Sequence, residues 1–130
     1  MMKRILIIDD NPRNNNEYIL PLRKYFKVDV IMSLKTAERL IRVNNYEVIV
    51  IDIMMPTQDP AINNELETGL QFYKLRLAKL YPQQKILFWS RLTSESYDKF
   101  FSVNKPNNVS FLSKDRNDPS HLLNKIRKIV

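Results

Sequence analysis

The sequence predicts an α/β fold, in which a five-stranded parallel sheet carries helices on both faces. Five short apolar runs alternate with five segments of helical periodicity, an order typical of parallel sheets joined by right-handed crossovers. Two of these runs, residues 5–8 and 48–51, consist only of isoleucine, leucine and valine and are too short for helices. Runs of this kind are typical of strands buried on both faces. A length of 130 residues suits one domain spanning residues 1–130.

The composition excludes several kinds of site. The chain has no cysteine, which excludes disulfides, thiolate nucleophiles and zinc–thiolate centres. No apolar stretch approaches the roughly 20 residues that span a bilayer, and the N-terminus enters a strand rather than a signal peptide. We therefore expect a cytoplasmic protein with no membrane partner.

The net charge of +7 raises the question of nucleic-acid binding. The basic residues are scattered, however, and most fall on predicted helix faces, often near C-terminal ends where cations suit the helix dipole. The sequence contains no RNA-recognition signature and no clear helix-turn-helix. We interpret the charge as a solvated surface and do not expect direct binding to nucleic acid.

The first half of the chain is predicted to hold three strands and two helices. In chain order we expect strand 1 at residues 3–8, helix 1 at 17–26, strand 2 at 28–32, helix 2 at 35–43 and strand 3 at 47–51. The asparagine-rich residues 11–16 predict a loop before helix 1. Because Pro21 falls inside helix 1, this helix should begin late, near Leu20, or kink at the proline. Ser33 is a suitable N-cap for helix 2.

The second half is predicted to hold three helices and two strands. We expect helix 3 at residues 68–80, strand 4 at 85–89, helix 4 at 94–103, strand 5 at 109–112 and helix 5 at 119–129. Helix 3 should stop before Pro82, and Asp118 and Pro119 form an N-cap followed by a proline at the first helical position. Residues 56–67 form a polar connection long enough to suggest a function or disorder. His121, in the first turn of helix 5, is expected to be exposed and functionally silent.

Three acidic residues stand directly after the two most apolar strands. Asp9 and Asp10 follow strand 1, and Asp52 follows strand 3. If both strands lie parallel in one sheet, their carboxyl ends share the edge at which open α/β sheets bind ligands. Carboxylates so close together repel one another and favour a divalent cation with oxygen ligands. The sequence therefore predicts a metal site formed by these three residues.

Two further polar residues fall on the same edge. Ser90 follows strand 4 immediately, and Lys114 follows strand 5 after one intervening residue. Phe111 lies three positions before Lys114, inside strand 5. Taken singly, each of these residues and each acid has an ordinary structural role as a cap, a turn residue, a surface charge or a core side chain. Their joint position at four strand ends is what suggests a functional site.

These stretches make the sequence similar to a known family, the receiver domains of two-component response regulators. The matching stretches are residues 5–11, residues 48–56, the serine at position 90 after residues 86–89, and residues 111–114. The resemblance covers essentially the whole chain. It implies a flavodoxin-like sheet with strand order 2-1-3-4-5.

The resemblance also implies the chemistry of the acids. Asp52 would be the phosphoacceptor, which takes a phosphoryl group from a sensor histidine kinase or a histidine phosphotransfer protein. Asp10, Asp52 and the main-chain carbonyl of Met54 would hold Mg²⁺ directly, and Asp9 would act partly through water. The ion would neutralise charge on the transferring group. The protein would turn over no external substrate.

The remaining site residues would read the phosphoryl group. By resemblance, Lys114 would pair with one phosphoryl oxygen and Ser90 would donate its hydroxyl to another. The loop after Ser90 would move inward, and Phe111 would change from an outward to an inward rotamer. The surface of helix 4, strand 5 and helix 5 would then switch, with homodimerisation through it as one outcome.

Two alternative functions remain open. One is a pseudo-receiver that binds partners without phosphorylation, which Asp115 supports because the family usually has a cis-linked proline after the lysine. The other is a Mg²⁺-dependent phosphotransferase or hydrolase, although Met54 stands where such enzymes commonly need a further acid. The long connection 56–67 and Pro21 in helix 1, a docking surface in the family, make partner choice less transferable than chemistry. The kinase, the pathway, the output target and any longer parent regulator are left open.

Overall fold

The computed structural model describes residues 2–55, 61–62, 67–91, 94–114 and 118–130. Within these ranges, five strands form one parallel sheet in the order β2-β1-β3-β4-β5. The strands are β1 (Arg4–Ile8), β2 (Lys27–Ile31), β3 (Val48–Ile51), β4 (Lys85–Ser90) and β5 (Val109–Ser113). The predicted α/β fold and its strand order are confirmed.

Five helical segments lie in the described part of the chain, four between successive strands and one after β5. α1 covers residues 12–24 and combines a 3₁₀ turn (Pro12–Asn15), an α-helical turn (Asn16–Ile19) and a second 3₁₀ segment (Leu20–Lys24). α3 covers residues 68–80, with a π-helical segment (Tyr73–Leu77) between Thr68–Phe72 and Ala78–Leu80. The others are α2 (Leu34–Val43), α4 (Ser94–Phe100) and α5 (His121–Ile129). None of the described helices is both long and apolar enough to cross a bilayer.

The sheet separates two apolar clusters, because successive residues of a strand point to opposite faces. Ile8 packs with residues of α2, α3 and α4 on one face. Ile7 packs with residues of α1 and α5 on the other. By the same alternation, Asp9 and Asp52 leave β1 and β3 towards α1 and α5. The sheet therefore directs these two acids to one side of its carboxyl edge.

Helix 1 begins earlier than predicted, and the expectation of a loop at residues 11–16 is wrong. Its first turn starts at Pro12, where proline costs no hydrogen bond because the first N–H groups of a helix have no partner within it. The Asn11 N–H donates to Asp9 Oδ1 at 2.9 Å and tightens the entry to this turn. Pro21 does not delay the helix. It stands in the first turn of the second 3₁₀ segment, where the helical geometry changes.

Two boundaries near the site also differ from the predicted ones. Ser90 is the last residue of β4, paired with Ser113 of β5, rather than the first residue after the strand. α4 ends at Phe100, before the predicted end at Val103. By contrast, Ser33 is confirmed as the N-cap of α2, since its hydroxyl accepts the N–H three residues later at 3.1 Å.

The start of α5 and the environment of His121 correct two further predictions. The helix begins at His121 rather than Pro119. Asp118 Oδ1 accepts hydrogen bonds from the N–H and the hydroxyl of Ser120, which forms a separate turn before the helix. His121 is half-buried rather than exposed, and its Nε2 accepts a hydrogen bond from Trp89 Nε1 at 3.1 Å.

Candidate functional site at the carboxyl edge of the sheet

The backbone that carries the site residues is held by the sheet. The N–H of Asp9 donates to a carbonyl of β2 at 3.0 Å, and the N–H of Asp52 donates to a carbonyl of β1 at 3.1 Å. Across the sheet, the N–H of Lys114 donates to the carbonyl of Ser90 at 2.8 Å. Each of these side chains therefore starts from a point that the strand ladder fixes.

The three acids predicted to bind a metal lie together. One carboxylate oxygen from each of Asp9, Asp10 and Asp52 lies within 4.8 Å of the others. Asp10 is exposed, but its partial desolvation at the site raises its pKa, and the negative charges of Asp52 and Asp9 raise it further. A divalent cation relieves repulsion of this kind, and a donor set made only of oxygen suits Mg²⁺. The residues present therefore fit the ion.

Asp9 is almost fully buried, with 1% of its surface exposed. Its Oδ2 accepts a hydrogen bond from Asn15 Nδ2 at 2.7 Å and lies 3.0 Å from Lys114 Nζ. Asn15 is also buried, and its Nδ2 contacts the Asn11 carbonyl at 3.2 Å. Asn15 is not among the site residues predicted from the sequence, because its segment resembles a polar loop. Through this residue, α1 fixes the orientation of the Asp9 carboxylate.

Asp52 has a different partner on each carboxylate oxygen. Oδ1 accepts hydrogen bonds from the hydroxyl of Ser90 and the N–H of Met54, both at 3.1 Å. Oδ2 lies 3.0 Å from Lys114 Nζ. The Lys114 side chain is only 3% exposed, so one buried ammonium is shared between Asp52 and Asp9. The structure thus brings together the strand-end residues that the sequence singled out.

A glycine lets α3 approach the backbone of Asp52. A Cβ added at Gly69 would lie 2.1 Å from the Asp52 carbonyl oxygen and 3.0 Å from its carbonyl carbon. The Gly69 N–H donates to the Ile53 carbonyl at 2.7 Å. The neighbouring Thr68 is buried, and its hydroxyl hydrogen-bonds with the backbone of Met55. Gly69 is the only glycine in the chain, and its sequence position alone gave no sign of this contact.

Phe111 lies on the opposite face of the sheet from the Asp9–Lys114 pair. It is half-buried against the cluster of α2, α3 and α4, and its ring centroid lies 5.3 Å from that of Tyr97 in α4. Asp115 and most of the 56–67 connection lie outside the described residues. The predictions that concern them stay predictions.

The chain matches the family model described as response regulator receiver domain over residues 5–127. It is 22% identical to the response regulator TrrA of Thermotoga maritima, solved in complex with Mg²⁺ and BeF, with a TM-score of 0.75 over 99% of this chain and 100% of that one. It is 20% identical to the chemotaxis protein CheY4 of Vibrio cholerae, with a TM-score of 0.76 over 100% of both chains. The beryllofluoride-activated NtrC4 receiver domain is also 20% identical, with a TM-score of 0.72 over 98% of this chain and 96% of that one.

These structural similarities, at such low identity, concern the fold alone. No relative was found among curated proteins. The family match, however, spans nearly the whole sequence and includes every strand end that carries a site residue. The chain belongs to the family of response regulator receiver domains.

Proposed function

We propose that this protein is a phosphorylation-driven switch and that Asp52 is its phosphoacceptor. The proposal depends on the contacts of Asp52. One of its carboxylate oxygens contacts Ser90 Oγ, the other contacts Lys114 Nζ, and the carboxylates of Asp9 and Asp10 lie close by. A carboxylate with a hydroxyl donor and an ammonium close by has the groups needed to bind a phosphoryl group as it arrives. The donor would be the phosphohistidine of a sensor histidine kinase or of a histidine phosphotransfer protein.

The transfer is a displacement at phosphorus. An oxygen of the Asp52 carboxylate attacks the phosphorus atom, the P–N bond to the donor histidine breaks, and its electron pair leaves with the imidazole nitrogen. Asp52 loses its negative charge as the acyl phosphate forms, while the phosphoryl oxygens bring charge to the same place. Lys114 Nζ then exchanges Asp52 Oδ2 for a phosphoryl oxygen, and Ser90 Oγ exchanges Oδ1 for another.

Asp9, Asp10 and Asp52, with the main-chain carbonyl of Met54, would hold Mg²⁺ beside the acceptor. The bound ion would supply positive charge against the phosphoryl oxygens. The crowding of three carboxylate oxygens within 4.8 Å supports this assignment. The structure of TrrA in complex with Mg²⁺ and BeF is consistent with it.

The change at Ser90 would reach the surface formed by α4, β5 and α5. Ser90 ends β4 and is paired with Ser113, close to Phe111, whose ring contacts Tyr97 of α4. When Ser90 turns from Asp52 to the phosphoryl group, we expect Phe111 to move inward and α4 to shift with it. A homodimer through this surface is part of the proposal, and the dimer of the activated NtrC4 receiver supports it.

Receiver domains are signalling modules, and the family does not point to a classical enzyme. We propose that residues 1–130 act as one such unit, which catalyses its own phosphorylation and dephosphorylation. The downstream target stays open, and the cytoplasmic location stays a prediction. The pseudo-receiver alternative depends on Asp115, which the structure does not describe, so experiment must separate the two.

Intact mass after incubation with Mg²⁺ and acetyl phosphate tests this proposal. We expect a gain of one phosphoryl group in the wild-type protein and none when Mg²⁺ is removed by a chelator. The matched variant Asp52→Asn keeps the size of the side chain and should gain nothing. Absence of any adduct in the wild type would favour the pseudo-receiver. Continuous hydrolysis of an unrelated phosphate ester would indicate a hydrolase instead.

A further inference from the structure

The single tryptophan of the chain contacts the lysine of the candidate site. Trp89 precedes Ser90 in β4 and is 1% exposed. Its ring centroid lies 4.7 Å from Lys114 Nζ, within the range of a cation–π interaction. The same ammonium lies 3.0 Å from a carboxylate oxygen of Asp9 and 3.0 Å from one of Asp52. Two carboxylates and one aromatic face therefore surround the charge.

Strand alternation explains this contact. Trp89 lies directly opposite Leu112 of β5, and both side chains pack in the cluster of α1 and α5. Lys114 is two residues after Leu112, so its side chain leaves the end of β5 on the same face. The indole of Trp89 consequently lies beside the ammonium of Lys114, on the face of the sheet where Asp9 and Asp52 lie.

A chain of hydrogen bonds through His121 orients the indole of Trp89. Its Nε1–H donates to His121 Nε2 at 3.1 Å, and His121 Nδ1 lies 2.7 Å from the Asp118 carbonyl. Because the indole N–H can only donate, Nε2 of His121 is the acceptor. The imidazole hydrogen is therefore on Nδ1, which donates a hydrogen bond to the main-chain carbonyl of Asp118. The ring of Tyr18 packs edge-on against both aromatic groups. Its centroid lies 5.8 Å from that of the Trp89 ring and 4.8 Å from that of the His121 ring.

We propose that Trp89, oriented by His121, is a positioning residue for the phosphoryl-binding lysine. A lysine ammonium is a point charge on a flexible stem, so its direction depends on what surrounds it. Trp89 limits Lys114 to the side facing Asp52, and this restraint persists when the carboxylate contacts are exchanged for phosphoryl oxygens. The inference rests on the proposed roles of Asp52 and Lys114. It assigns a function to His121, which the sequence suggested was silent.

The ring is tested by a graded series at position 89. Because the attraction falls from indole to phenyl and is lost with an aliphatic side chain, the phosphorylation rate with acetyl phosphate and Mg²⁺ should fall in the order Trp89, Trp89→Phe, Trp89→Leu. We expect a loss of about tenfold for Trp89→Leu. Leu87→Val, on the same strand and in the same cluster, weakens packing away from Lys114 and should stay within about twofold of the wild type.

A second readout reports on the lysine directly. An aromatic ring over Lys114 shifts the NMR resonances of its ε-methylene protons upfield, and this shift should vanish in Trp89→Leu. Equal rates for Trp89 and Trp89→Leu, or unchanged ε-methylene resonances, would overturn the proposal. A wild-type protein that takes no phosphoryl group would instead defeat the proposed function. The two failures are therefore distinguishable.

The contribution of His121 is tested by a double-mutant cycle. His121→Phe keeps an aromatic ring against Tyr18 but cannot accept a hydrogen bond from the indole. Trp89→Phe has no N–H with which to donate one. His121→Phe alone should slow phosphorylation, and if both residues act through this hydrogen bond, the double variant should be phosphorylated no more slowly than Trp89→Phe alone. Slowing by the product of the two single effects would show that His121 does not act through Trp89.

Discussion

Replacing Lys114 with methionine should lower the free energy of unfolding by about 3 kcal/mol near neutral pH in the absence of divalent cations. The side chain of Lys114 is 3% exposed, and its ammonium contacts Asp9 and Asp52, whose side chains are 1% and 12% exposed. Removing one partner of a buried ion pair leaves the other charge without compensation, which costs more than the pair contributes. Here two carboxylates lose the same partner while Asp10 lies beside them.

Chemical denaturation with a chelator present measures this loss. Lys128→Met, the same substitution at an exposed position of α5, is the control and should change stability by less than about 0.5 kcal/mol. Adding Mg²⁺ should recover part of the loss in Lys114→Met, because an ion that binds only the folded state stabilises it. If the two methionine variants unfold at the same denaturant concentration, the buried pairing of Lys114 does not exist in solution.

Replacing Gly69 with alanine should both destabilise the fold and displace the phosphoacceptor. The added Cβ would lie 2.1 Å from the carbonyl oxygen of Asp52 and 3.0 Å from the Cα of Ile53, so backbone rather than a flexible side chain must move. Alanine favours a helix over glycine by about 1 kcal/mol, whereas overpacking a tight contact costs about 1–3 kcal/mol. The steric cost should exceed the gain in helix propensity, because the atoms that the Cβ would meet belong to the backbone of Asp52 and Ile53 and not to a flexible side chain.

Expressed as free energies, the effect of Gly69→Ala on the phosphorylation rate should be larger than its effect on the stability of the fold. A displacement of about 1 Å in a reacting group is enough to slow a reaction about 100-fold, so phosphorylation of the folded variant by acetyl phosphate should fall by one to two orders of magnitude. Lys79→Ala, at an exposed position of the same helix, should leave the rate unchanged. A Gly69→Ala protein as stable and as rapidly phosphorylated as the wild type would mean that α3 does not press on Asp52.

The sheet and the strand-end residues could be predicted because they depend on local pattern. The four-residue apolar runs at 5–8 and 48–51 are typical of strands that are buried on both faces of a sheet. The residue after each run then lies at the carboxyl edge of the sheet. Asp9 and Asp52 follow from this rule. Their convergence needed only a parallel sheet, although the strand order came from the resemblance to receiver domains.

The groups that were missed depend on contacts between distant segments. Asn15 resembles a loop residue until the turn at Pro12 places it against Asp9, six residues earlier. Gly69 reveals its role only when α3 is docked against the end of β3. His121 was expected to face solvent, because its helix periodicity gives no information about the indole of Trp89, 32 residues away in sequence. Side-chain pairing across elements is not encoded in the local pattern.

Mapping the phosphoryl group to a single residue decides whether Asp52 is the acceptor. Borohydride reduces an aspartyl phosphate to homoserine, so peptide mass spectrometry of protein treated with acetyl phosphate and Mg²⁺ identifies the modified residue. We expect homoserine at position 52, none at positions 9 and 10, and none anywhere in Asp52→Asn. Homoserine at Asp9 or Asp10, or a phosphorylated wild-type protein that yields no homoserine at position 52, would contradict the assignment of Asp52 as the acceptor.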